Sequence, residues 1–214
     1  GSGNCSVTEE WNGTNWTEVG DLTNGRSAMG GAGLVTSALV FGGTPGDKAN
    51  TEEYNGTTWS ETTDLSTARR ALGGSGIQTA ALAFGGMVST SNSAATESWT
   101  GAGAAVGVWS TGGALNTARA QNSGAGASNA SGLTFGGTPI PGVAGKTEQY
   151  DGTSWTEVND MNKGGVERGG TGVVTSALAF GIEDPNPPTG SNPDNLTELW
   201  NGTNWTEVND LNTA

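Results

Sequence analysis

Histidine is absent from the 214-residue chain, cysteine occurs once, and lysine and arginine together number 8 against 21 acidic residues. Each scarcity closes off a class of chemistry. Zinc sites built on imidazole and thiolate have no ligand set here beyond Cys5, and copper oxidase chemistry lacks its usual imidazoles. A single cysteine forms no disulfide within the chain, and nothing around Cys5 raises its reactivity, so it reads as an incidental thiol. Nucleic-acid binding needs clustered basic side chains, whereas here they are single and scattered. The net charge of −13 disfavours anionic membrane surfaces and otherwise signals solubility. No apolar run approaches the roughly 18 residues of a transmembrane helix, so membrane insertion is not expected. The start, Gly1-Ser2-Gly3-Asn4-Cys5, lacks the basic and apolar regions of a signal peptide, which leaves export by another route or a processed piece. Apolar residues nowhere recur at the helical period over a useful length, so the chain reads as all-β.

What is present is glycine (38 residues), eight tryptophans and a repeat. The glycine, serine, threonine and asparagine content resembles that of a disordered chain, but disordered segments are poor in aromatics. The pair Thr-Glu recurs at Thr8, Thr51, Thr96, Thr147 and Thr197, at spacings of 43, 45, 51 and 50 residues. Trp16, Trp59, Trp155 and Trp205 each follow their Thr by eight residues, and Trp109 follows after a five-residue insertion. Six residues beyond each Trp stands Leu22, Leu65, Leu115, Met161 or Leu211. Self-similarity at a period of about 40 to 50 residues marks a repeat architecture, here a single array over residues 1–214.

One repeat contains four short strand signals. Thr51–Tyr54 and Thr57–Glu61 flank Asn55-Gly56, a pair expected to form a type I′ turn and close a tight hairpin. Asn12-Gly13, Asp151-Gly152 and Asn201-Gly202 write the same turn. Several Asn-x-Thr sequons, such as Asn12-Gly13-Thr14, coincide with it and are explained by turn chemistry. A strand with almost no large side chains, Ala71 to Gly76, contains Gly73 and Gly74; the next ends at Phe84-Gly85-Gly86. Four strands with short connections make one small antiparallel sheet. A linear solenoid and a radial propeller both repeat such sheets. The small-residue strand favours the propeller, whose inner strands converge where only small side chains fit. Phe41, Phe84, Phe135 and Phe180, with the Trp set, would then fill the space between blades.

A hydrophobic strand ending in Gly-Gly, then an aromatic, then a Trp about six residues later, resembles the kelch repeat. Phe84-Gly85-Gly86, Tyr54 with Trp59, and Tyr150 with Trp155 carry the resemblance, which covers nearly the whole chain. It implies four-stranded propeller blades. The Thr-Glu-x-Tyr/Trp-Asn-Gly-Thr-x-Trp variant is also similar to kelch-like propellers of phage and environmental bacterial proteins. Asn122-Ser123 in the third copy and Phe180-Gly181-Ile182 in the fourth depart from the pattern.

With strands named A to D outward from the axis, the C–D hairpin occurs five times and the inner A–B pair four times. The expectation is four full repeats plus an N-terminal half repeat, five-bladed if one more inner pair closes the ring. The chain then reads as part of a longer one, or as a ring completed in trans.

Asp21, Asp64, Asp160 and Asp210 precede the repeated Leu or Met, and Arg26, Arg69 and Arg119 follow the Leu by four residues. A ring of carboxylates could bind Ca²⁺. Repetition argues instead for structure, with a turn Asp and an Arg stem packed between blades. The B–C loops differ in kind, and variable loops on a constant scaffold are where binding usually sits. They place Asp47, Lys48, Glu183, Asp184 and Asp194 on one face, with neutral drift as the bland alternative and a hard cation among the last three as a weaker one. No catalytic constellation, metal site or cofactor is implied.

The function expected is a non-catalytic adhesion module, extracellular or on a virion, phage tail or bacterial surface, contacting a glycan or protein through the B–C loops. The alternatives are a structural subunit of a fibre, self-associating through the half repeat, and a propeller-type glycosidase, which would need two positioned carboxylates.

Overall fold

The computed structural model describes residues 5–101, 107–139, 142, 144–166, 169–181 and 195–212. Its regular structure there is entirely β. A hairpin of β1 (Glu9–Trp11) and β2 (Trp16–Glu18) comes first. Blade 1 follows, with β3 (Gly30–Leu34), β4 (Ser37–Phe41), β5 (Thr51–Tyr54) and β6 (Trp59–Glu61). Blade 2 begins with β7 (Gly73–Ile77) and β8 (Ala80–Phe84), carries a small loop hairpin of β9 (Met87–Val88) and β10 (Ser91–Asn92), and ends with β11 (Thr96–Thr100) and β12 (Val108–Thr111). Blade 3 is β13 (Ser123–Ser128), β14 (Ser131–Phe135), β15 (Thr147–Tyr150) and β16 (Trp155–Val158). Blade 4 is β17 (Gly169–Val173), β18 (Ser176–Phe180), β19 (Thr197–Trp200) and β20 (Trp205–Glu207).

Each blade is a four-stranded antiparallel meander in the order A-B-C-D. Tyr54 pairs with Trp59, and Ala38 pairs with Tyr54 on the other side, so aromatic residues line up across the sheet. The four inner strands β3, β7, β13 and β17 are successive neighbours. Together they line one axial cavity of about 430 Å³. That arrangement is a β-propeller of four blades, with the β1–β2 hairpin standing beside blade 1.

Glycine makes the convergence possible. A Cβ added to Gly74 would lie 2.5 Å from the Gly31 carbonyl oxygen and 2.8 Å from Phe41 of the preceding blade. Gly124 meets Phe84 and Gly170 meets Phe135 in the same way. No side chain fits there because the neighbouring backbone cannot retreat.

The blades adhere through one repeated contact. Phe41, Phe84 and Phe135 are buried and pack edge-on against Trp109, Trp155 and Trp205 of the next blade, with centroids 4.9 to 5.2 Å apart. Each such pair adds about 0.5–1.5 kcal/mol beyond the area it buries. The indole N–H of the same Trp then donates to the C-strand Thr of the preceding blade. Trp109 reaches Thr51 at 3.1 Å, Trp155 reaches Thr96 at 2.9 Å and Trp205 reaches Thr147 at 3.0 Å. Trp59 reaches Thr8 of the hairpin at 3.0 Å. Trp16 is the exception to the expected interior Trp set. It is 63% exposed, against 5% for Trp205, because β2 stands at an open flank.

The hairpin turns also differ from expectation. Type I′ would need positive φ at both Asn55 and Gly56. Only Gly56 has it (φ 90°), and Tyr54 pairs with Trp59, so the turn centres on Gly56-Thr57. The Asn55 side chain accepts from the Thr57 and Thr58 N–H groups at 2.9 Å each, an Asx-type cap on the residue that precedes the turn centre.

Candidate functional site

The B–C loops and the D–A links that lead into each inner strand emerge on the same face. The sequence of the links explains how that face is held. Arg26, Arg69 and Arg119 turn inward and are fully buried. Each donates to two carbonyls of its own blade's B–C loop: Arg69 Nη1 bonds the Gly85 oxygen at 3.0 Å and the Ala95 oxygen at 2.7 Å. Each also pairs with the Glu of the repeated Thr-Glu, as in Arg26–Glu52, Arg69–Glu97 (3.1 Å) and Arg119–Glu148. The same carboxylates accept backbone N–H bonds from the link, from Thr23 to Glu52, Ser66 to Glu97 and Asn116 to Glu148, and Glu198 of blade 4 accepts that of Asn162. Burial pushes the Arg69 and Arg119 guanidinium groups below their ordinary pKa, and the facing Glu partly restores them.

The Arg partner is therefore the strand Glu. The neighbouring Asp does other work: Asp64 accepts from the Thr51 N–H at 3.2 Å, and Asp160 lies 3.6 Å from Lys146. Among the described residues no group of three or more His, Cys, Asp or Glu is brought together. The Glu residues were visible in the sequence only as a mark of the repeat. Their similar distance from the Arg, at 26, 28 and 29 residues, was the signal that would have paired them.

The loops themselves are pinned. Backbone bridges join Ser27 to Thr44, Arg70 to Met87 and Ala120 to Thr138. Between blades, Gly43 N–H bonds the Arg69 carbonyl at 2.9 Å, Gly86 the Arg119 carbonyl at 2.8 Å, and Gly137 the Gly165 carbonyl at 3.0 Å.

Of the five residues the sequence assigned to binding, two fall within the described residues. Asp47 pairs with Arg70 and accepts from the Ser89 N–H, tying the first loop to the β9–β10 hairpin of the second. The Ser89 bond, followed by Arg70, holds its carboxyl below the usual Asp value against the opposing effect of burial. Lys48 is half-buried, with its N–H on the Gly43 oxygen and its carbonyl accepting from Arg69 N–H. Glu183, Asp184 and Asp194 lie outside the described residues. Arg70 was passed over in the sequence because its neighbour Arg69 carries the repeat.

Two cavities complete the picture. The axial one has backbone walls of glycine and alanine and a rim of exposed Leu34, Ile77 and Val173. A groove of about 480 Å³ lies between the β1–β2 hairpin and blade 1, lined by Trp11, Trp16, Trp59, Tyr54, Leu39 and Gly31. It occupies the place where an inner A–B pair stands in each full blade, which the five-to-four count of hairpins and inner pairs anticipates.

No protein-family model matches the chain, and no curated protein matches its sequence.

Proposed function

We propose that this propeller is a non-catalytic binding module of kelch-like type, displayed on a virion, phage tail or bacterial surface, with a glycan or protein bound across the B–C loop face. The observation that carries the reading is the pinning of unlike loops by like contacts. Arg26, Arg69 and Arg119 hold three loops of different sequence by the same pair of carbonyl bonds. A constant scaffold that preorganises variable loops lowers the ordering cost of binding. A glycosidase would direct two carboxylates into a cleft. Here the buried Glu52, Glu97, Glu148 and Glu198 are committed to the links of their own blades.

The test replaces Gly46-Asp47-Lys48 and the β9–β10 tip Ser89-Thr90 with Gly-Ser residues and compares both proteins on glycan arrays and displayed host-surface proteins. Loss of a parental signal, with the far-ultraviolet spectrum retained, is expected. Retention of every signal by the loop variant would move the ligand off this face.

A further inference from the structure

The contact between blades 3 and 4 is written a second time in this chain, with its two halves at opposite flanks. On the receiving side of the existing interface stand Phe135, Thr147 and Asn159. Phe135 packs edge-on against Trp205, Thr147 accepts from the Trp205 indole, and Asn159 Nδ2 bonds the Thr203 carbonyl at 2.9 Å and Asn204 Oδ1 at 2.8 Å. Asn162 completes it, bonding Glu198 and the Trp205 carbonyl.

Blade 4 carries the same receiving set in Phe180, Thr197, Asn209 and Asn212. Among the described residues, none of the four meets a Trp-bearing hairpin in the corresponding role. Thr197 Oγ1 is buried with no hydrogen-bond partner among the described residues. Phe180 is only half-buried, whereas Phe135 is fully covered. Leu211 is 41% exposed, whereas its counterpart Met161 is buried.

The inserting element is also duplicated. Asn12–Val19 reads Asn-Gly-Thr-Asn-Trp-Thr-Glu-Val, identical to Asn201–Val208. Trp16 therefore occupies the position of Trp205, and Glu9 that of Glu198. Both are exposed where their counterparts are buried. Among the described residues, Trp16 has a ring contact with Trp11 of its own hairpin, 5.5 Å between centroids, and no recorded contact with blade 4.

We propose that the flank of blade 4 is a docking site for the β1–β2 hairpin of a second copy of this chain. Trp16 of the incoming copy donates its indole N–H to Thr197 and covers Phe180, while Asn209 and Asn212 bind the hairpin turn and Glu9. The occupant is specified by the molecule's own interface: the same eight residues already fill the same kind of site between blades 3 and 4. The contact is head-to-tail, so each copy keeps one inserting and one receiving end, and association is open-ended unless a ring closes. This assembly surface is separate from the B–C loop face, and the binding reading above can fail without it.

The test uses complementary single variants of the 214-residue chain. Trp16→Ala removes the inserting group and leaves the receiving flank intact; Phe180→Ala does the reverse. Light scattering across a concentration series is expected to show wild type growing beyond 21.4 kDa and each variant alone staying at that mass. An equimolar mixture of the two variants is expected to reach twice that mass and no more. Should Phe180→Ala fail to fold, Thr197→Val, which keeps the shape and removes the acceptor, takes its place in the mixture. A wild-type protein of constant monomer mass overturns the proposal. That holds whether iodide quenching finds Trp16 still in solvent or finds it shielded against its own blade 4. Growth of wild type that Trp16→Ala does not abolish overturns it equally, since association then uses another surface.

Discussion

Gly31 and Gly74 occupy the same position in successive inner strands and differ in what surrounds them. A Cβ on Gly74 would meet the Gly31 carbonyl oxygen at 2.5 Å, while one on Gly31 meets nothing nearer than the Leu39 oxygen at 3.4 Å. Gly74→Ala is therefore expected to destabilise by about 1–3 kcal/mol or more, and Gly31→Ala to leave the urea midpoint nearly unchanged. Equal losses in the two variants would mean that β3 is as crowded as β7. Tryptophan shows the same dependence on place. Trp155 is buried, edge-on to Phe84 and bonded to Thr96, so Trp155→Ala is expected to cost about 3–5 kcal/mol. Trp16→Ala removes a side chain that is mostly in water and is expected to leave the melting of the dilute monomer within a degree or so of the parent. The buried ion pair obeys another rule. Glu97→Gln strands the Arg69 guanidinium without its countercharge, at an expected cost of about 3–5 kcal/mol measured in urea.

At the scale of the element, the outer hairpins of blades 1, 3 and 4 are capped by one side chain each. Asn55 and Asn201 do this as amides, and Asp151 does it as a carboxylate, accepting the Thr153 and Ser154 N–H groups at 2.8 Å each. The Ser154 N–H bond, then that of Thr153, holds the Asp151 carboxyl below its ordinary value. A depressed folded-state pKa contributes stability above the unfolded value, about 3.9, and that contribution is lost as pH falls through the folded value. Asp151→Asn keeps both acceptor bonds and removes the titration. Chemical-shift and urea measurements between neutral pH and about pH 2 are expected to show the β15–β16 turn loosening in the parent and holding in the variant. A turn that responds to acid equally in both would place the pH dependence elsewhere.

Across the whole molecule, stability in a repeat array is a sum of blade terms and nearest-neighbour interfaces. Blades 2 and 3 have a full blade on each side. Among the described residues, blade 4 has one such neighbour, and the β1–β2 hairpin meets blade 1 without an inner pair of its own. Hydrogen exchange on dilute protein is therefore expected to run slowest in β7, β8, β13 and β14 and fastest in β1, β2 and β20. Uniform protection across all four blades would show that the flanks are closed to solvent.

The period of Thr, Trp and Leu, the strand signals and the small-residue inner strand were enough to identify four-stranded blades in a propeller. Those features are local, since alternation, turn residues and residue size act within a strand or between adjacent ones. The Phe and Trp residues at the blade junctions were legible for the same reason, because each blade repeats them. The Arg–Glu pairs escaped, since Arg69 and Glu97 are 28 residues apart and meet only after the B–C loop folds back. The turn type escaped because the Asn55 side chain, by accepting two N–H groups, moves the turn centre by one residue. The fate of Trp16 could not be read from its sequence at all. Its eight-residue segment is identical to the one around the buried Trp205, and only the packing of β2, against which no further blade stands among the described residues, leaves the same indole in water.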